Sequence, residues 1–204
     1  MRHVLPLGDR GILVELDSLD EVLGLFAALD RTRPEGVIEL VPAARTIGVI
    51  VDPLRLPLSV ASAWALGAEP LGLADVASRT VDIPVRYDGD DLAEVASLLG
   101  CTRADVVERH TASEWRVAFG GFAPGFAYLV TDTDLLHVPR RAVARPAVPA
   151  GAVGLAGEFS GIYPRSSPGG WQLIGSTDAV LWDPAADAPA LLTPGTRVRF
   201  VEES

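Results

Sequence analysis

Glycine and proline set the terms for the second half of this chain. From Gly120 onward one or the other recurs every few residues, between the short apolar stretches 153–156, 171–174, 180–182 and 197–201. Proline locks φ and removes a backbone donor, glycine loosens the backbone, and neither sustains a helix interior. With no room for helices of ordinary length, residues 120–204 are predicted to form a closed or sandwiched β-structure.

The first part has a different texture. Residues 12–16 read as a strand after the turn at Gly8-Asp9-Arg10-Gly11. Ser18 and Glu21 form a capping-box pair, and Val22, Leu25, Phe26 and Leu29 then repeat at helical period. Pro34 and Gly36 end that helix. Strands are expected at 37–41 and 46–51, and a second helix at 59–66. Residues 68–78 read as a linker, which divides the chain into an α/β domain at 1–78 and a second domain at 79–204. The second domain opens with a strand at 80–87 that carries Pro84 and so is expected at a sheet edge. Two short helices follow, capped by Asp91 with Glu94 and by Thr102 with Asp105, and then a strand at 115–119.

Composition removes several function classes. The 204 residues carry 17 basic and 27 acidic side chains, a net charge of −10. Such a chain repels a phosphate backbone. Residues 92–110 have the helix–glycine–helix shape of a DNA-binding motif, but Asp105, Glu94 and Glu108 face only Arg103 and Arg109, so a packing pair is the better reading. All 17 basic residues are arginine, which excludes a lysine phosphate loop and a lysine Schiff base. Cys101 is the single cysteine, and His3, His110 and His137 lack metal-ligand spacing, so no metal centre is expected. The chain is 49% hydrophobic, with a mean hydropathy of +0.28. Yet its longest uncharged stretch, 117–131, is broken by Gly120, Gly121, Pro124 and Gly125, so no membrane span is expected. Asp9 comes too early for a secretory signal. A cytoplasmic subunit with an apolar partner interface fits these features.

Three segments carry candidate chemistry. In 121–129, Phe122, Phe126 and Tyr128 supply flat walls between glycines, as a ligand loop or a buried hairpin corner would. In 161–175, Tyr163, Arg165, Gly169, Gly170 and Gln172 stand on a rigid turn that offers a guanidinium fork, backbone donors and an amide, or that serves only as a β-loop. Arg140, Arg141 and Arg145 form the one dense basic cluster, either an anion contact or a solvated loop. The serines near 166 lack a nucleophile elbow, and no catalytic residue is named from the sequence.

The strings GFAPGFAYL, VPRRAVARPAVPAGAVGLAG, GIYPRSSPGGWQLIG and LLTPGTRVRF occur in that order, preceded by PEGVIELVPAARTIGVIVDP. Together they resemble the family of the B-type subunit of bacterial 5-oxoprolinase, which takes in KipI-type histidine-kinase inhibitors and proteins called allophanate hydrolase subunit 1. The resemblance implies an α+β fold class: a small α/β N-terminal domain and a cyclophilin-like β-barrel. It implies a subunit of an ATP-dependent lactam hydrolase that converts 5-oxoproline to glutamate and is inactive alone. A partner subunit with a related barrel and a large ATP-using subunit would complete the enzyme, and the resemblance assigns ATP to the complex rather than to this chain. The alternative within the same family is a regulator that binds a sensor histidine kinase. Three positions depart from the family pattern: Ala144 replaces the proline of a second Pro-Arg pair, Phe159 stands where a glutamine is usual, and Val130-Thr131-Asp132-Thr133 replaces a Gly-Gly-Leu-Asp run. The ligand is expected between 121–129 and 161–172. Arg165 would serve as the fork, Gly169, Gly170 and Gln172 as polar contacts, and Phe122, Phe126, Tyr128 and Tyr163 as walls. Arg140 and Arg145 are second-choice anion contacts.

Overall fold

The computed structural model describes residues 2–72 and 79–203. The chain divides into two compact units, Met1–Ala77 and Ser78–Ser204. The expected boundary at 78/79 and most of the expected linker touch residues 73–78, outside the described residues.

The first unit contains β1 (His3–Pro6), β2 (Gly11–Glu15), α1 (Leu19–Arg31), β3 (Val37–Pro42), β4 (Thr46–Val51) and α2 (Leu58–Gly67). The strands form an antiparallel sheet in the order β1-β2-β4-β3. Ser18 caps α1 by accepting from the Glu21 amide at 3.3 Å. The Glu21 carboxylate reaches back to the Asp17 amide, one residue before the position a capping box uses. Val22, Leu25 and Leu29 of α1 and Ala61 and Ala65 of α2 are fully buried with Val14, Ile47, Val49 and Val51 of the sheet. Burying each large aliphatic side chain stabilises the unit by roughly 1.5–3 kcal/mol.

The second unit contains β5 (Thr80–Val85), α3 (Leu92–Leu98), α4 (Arg103–Ala112), β6 (Trp115–Gly120), β7 (Ala127–Val130), β8 (Arg145–Val148), β9 (Ala152–Ala156), β10 (Phe159–Ile162), β11 (Ser167–Gly169), β12 (Gln172–Ser176) and β13 (Arg197–Glu202). Seven strands form one sheet in the order β12-β9-β10-β7-β6-β13-β5, and β11 and β8 pair as a separate ribbon. Residues 180–182, expected as a strand, make only an isolated bridge between Trp182 and Ala190.

The long sheet curls until its ends meet. Just beyond β5, Arg86 exchanges both backbone hydrogen bonds with Ser176, the last residue of β12, at 2.9 and 2.8 Å. Glycine permits this approach. A Cβ on Gly175 would strike the Arg86 carbonyl, and one on Gly89 would strike the backbone between Leu173 and Gly175. The sheet is therefore barrel-like, in a mixed α/β chain, as the family resemblance implied.

Every residue of β9 is buried, because both faces of that strand are covered. Val153 and Leu155 face the main core with Val95, Val106, Trp115 and Phe200. Ala152 and Ala156 belong to a second cluster with Phe126, Tyr163 and Trp171. Large residues thus point one way along β9 and small ones the other, and the small face leaves room for aromatic rings.

Candidate functional site

The aromatic cluster opens into a cavity of about 520 Å³. Its walls come from both segments singled out in the sequence. Phe122, Phe126 and Tyr128 arrive from the β6–β7 hairpin, and Tyr163, Gly169 and Trp171 from the turn around β11. Phe159 of β10 and Arg140 join them, with Pro139, Ala156, Gly157 and Pro168 filling the rest of the lining. The rings brace one another edge to face: Phe126 lies 5.4 Å from Trp171 and 5.5 Å from Tyr163, centroid to centroid. Phe119 stacks under Tyr128 at 4.5 Å.

Two backbone features shape the mouth. Phe122 holds a φ of +64°, which a bulky residue adopts only where its surroundings enforce it. The residue stays 58% exposed, with its ring 5.3 Å from that of Phe126. Gly169 sits against the Tyr163 ring so closely that any Cβ there would overlap the hydroxyl.

Arg140 is the only charged group among the described residues that line the cavity. Burial pushes the Tyr128 and Tyr163 phenols up, while the nearby Arg140 guanidinium pulls both the other way. For Tyr163, a hydrogen bond from the Trp171 backbone opposes the rise as well. Both phenols are consequently neutral at physiological pH. The described lining holds no carboxylate, imidazole or thiol, so these residues offer no general base at neutral pH.

The remaining expected contacts are distributed differently. Arg165 is exposed and is not a lining residue. Gly170 is buried, and its carbonyl accepts from the Arg141 amide at 2.8 Å. Gln172 is 2% exposed and donates to the Pro139 carbonyl at 3.4 Å, while its Oε1 has no hydrogen-bond partner among the described residues. The basic cluster splits. Arg141 and Arg145 both turn to Asp91 Oδ1, at 2.5 and 2.8 Å, and only Arg140 enters the cavity lining.

The spacing to Glu94 predicts Asp91 as the cap of α3. It stands at the N-cap position but makes no capping bond. Its Oδ2 accepts instead from the Leu173 amide at 2.7 Å, and the residue is 3% exposed. Burial pushes its carboxyl up. The bond from Arg145, the Leu173 amide and the two guanidinium charges outweigh that and hold it below the usual range. Sequence spacing alone gave no sign of this role, because a carboxylate before a helix reads first as a cap.

His110 serves the other face. Its Nδ1 and Nε2 pair with the Tyr87 hydroxyl at 2.8 Å and with Ser160 Oγ at 3.0 Å, and its ring stacks on Phe200 at 4.1 Å. The residue is fully buried, and burial drives its pKa down to about 3, so the imidazole stays neutral inside the core.

The model of the carboxyltransferase domain, subdomain C and D, matches residues 2–192. The chain belongs to that family. Within it, the chain is 45% identical to the B-type subunit of 5-oxoprolinase from Escherichia coli O157:H7 over 171 residues, which cover 82% of this chain and 78% of the relative. It is 35% identical to the B-type subunit of 5-oxoprolinase from Bacillus subtilis (strain 168), covering 97% and 91% of the two chains. Among solved structures, that of TTHA0988 superposes with a TM-score of 0.80 at 39% identity. The match takes in 96% of this carboxyltransferase-type chain but only 40% of TTHA0988, which is longer. No helix of the described residues is long and apolar enough to cross a membrane.

Proposed function

We propose that this chain is the B-type subunit of an ATP-dependent 5-oxoprolinase. The complex would open the lactam C–N bond of 5-oxoproline with water to give glutamate, coupled to hydrolysis of ATP to ADP and phosphate. The observation that carries this reading is the aromatic cavity with a single guanidinium. The ligand it suits is a flat ring that bears one carboxylate. Two relatives named as B-type subunits of 5-oxoprolinase, at 45% and 35% identity, support the choice of substrate.

In this reading the carboxylate pairs with Arg140, and the ring lies against Phe126, Tyr128 and Trp171. Arg140 takes the place that the sequence assigned to Arg165, because Arg140 lines the cavity and Arg165 does not. The Tyr128 and Tyr163 hydroxyls are the lining's polar groups for the lactam. With no general base in the cavity, a barrel-bearing partner subunit supplies the groups that activate water, and a large third subunit binds ATP. The extra length of TTHA0988 fits a fold that works beside further domains.

Calorimetric titration of 5-oxoproline into the co-expressed assembly tests the binding claim. Arg140→Gln should weaken binding by about 1.5–3 kcal/mol, roughly 10- to 150-fold, the range for a charge-assisted hydrogen bond. Equal affinity for Arg140→Gln and the parent would move the ligand to another subunit.

A further inference from the structure

We infer that Asp91 is a positioning residue that aims Arg140 into the cavity; this rests on the reading of that cavity as the 5-oxoproline site. Arg140 lies in a segment pinned on both sides. Before it, the Pro139 carbonyl accepts from Gln172. After it, the Arg141 amide donates to Gly170 at 2.8 Å, and the Arg141 and Arg145 guanidinium groups converge on one oxygen of Asp91. The other oxygen of Asp91 is fixed by the Leu173 amide on β12. Asp91 therefore locks the arginine segment to the same strand region that supplies Trp171 and Gln172. Two of three neighbouring cations are spent on this anchor, and the third is left for the cavity.

The anchor also explains why the cluster needs three arginines. A flexible segment with Arg140 alone would lose side-chain and backbone entropy each time a ligand bound. Two guanidinium bonds to a buried carboxylate remove that freedom before the ligand arrives. The ion pairs are partly buried, so breaking one partner disturbs the segment more than an exposed pair would.

A double-mutant cycle in the reconstituted complex tests the assignment. Asp91→Asn keeps the shape of the side chain and an acceptor for Leu173, but removes the charge that holds both arginines. We expect KM for 5-oxoproline to rise about 5- to 10-fold with kcat within roughly twofold. Added to Arg140→Gln, Asp91→Asn should raise KM no further, because its effect runs through Arg140. Additive effects would overturn the proposal and make Asp91 a general stability residue. If Arg140→Gln itself leaves KM unchanged, the reading of the cavity fails first, and that outcome is distinct. Where Asp91→Asn does not fold, Arg145→Gln gives the same test, since Asp91 keeps Arg141 and the Leu173 amide. A ligand-free readout is available in the isolated chain. Isotope-labelled tyrosine NMR should show the Tyr128 phenol ionising at higher pH in the anchor variant, as Arg140 swings away. An unchanged Tyr128 midpoint would overturn the proposal.

Discussion

Gly154 and Gly161 are direct partners across β9 and β10, and Trp171 lies over both. A Cβ on Gly161 would come within 3.0 Å of the Trp171 ring and 3.1 Å of Phe126, and one on Gly154 within 3.2 Å of Trp171 Cβ. This glycine floor is what lets a β-sheet face carry so many rings. Gly161→Ala should displace Trp171 and Phe126, cost about 1–3 kcal/mol of stability as overpacking does, and narrow the cavity. Thermal melts and ligand titration check it; a fully stable variant with parent-like binding would show that the rings do not rest on that floor.

Arg140 and Arg165 separate the cavity from the turn beside it. In the assembled enzyme Arg140→Gln should raise KM for 5-oxoproline by at least about tenfold, while Arg165→Gln changes it by less than roughly twofold. Steady-state kinetics on the two variants decide the matter. The reverse order would restore the guanidinium fork to the 161–175 turn.

Phe122 holds positive φ while the residue stays 58% exposed, so the protein retains backbone strain there at a wall of the cavity. Phe122→Gly should stabilise the chain by about 0.5–1 kcal/mol, since glycine adopts this φ freely. It should weaken ligand binding at the same time. Urea unfolding and calorimetry would reveal the trade, and a variant that loses stability would contradict it.

His110 predicts an acid-side stability slope. Its folded pKa is depressed to about 3, while an unfolded histidine titrates near ~6.5. Between those values the unfolded chain binds a proton that the folded chain does not. Stability from this group is therefore complete above pH ~6.5 and falls as pH drops, with a slope approaching ~1.4 kcal/mol per unit. His110→Gln removes the titration. The difference between parent and variant urea melts should shrink as pH is lowered from neutral toward ~4, and parallel curves would refute the assignment.

Periodic elements were legible in the sequence. The Val22, Leu25 and Leu29 stripe gave α1, and residues 46–51 gave β4 without adjustment. β1 was missed because four mostly exposed residues ending in proline carry no alternation. Residues 180–182 read as a strand from their apolar character, yet Val180 is 71% exposed and Trp182 makes only a bridge. For the two aromatic segments the sequence left a ligand loop and a β-corner both open, and the fold brings rings from both to one cavity. The role of Asp91 was not legible, since its partners Arg141, Arg145 and Leu173 lie 50 to 82 residues away. Long-range pairing of charge leaves no local pattern, whereas helical period does.

The most direct test of the central claim is ATP-dependent opening of 5-oxoproline to glutamate by the reconstituted complex. The account predicts turnover when this chain, its barrel-bearing partner and the large ATP-using subunit are all present, and none from this chain alone or from the other two without it. Robust turnover by the isolated chain, or full activity of the assembly in its absence, would contradict it.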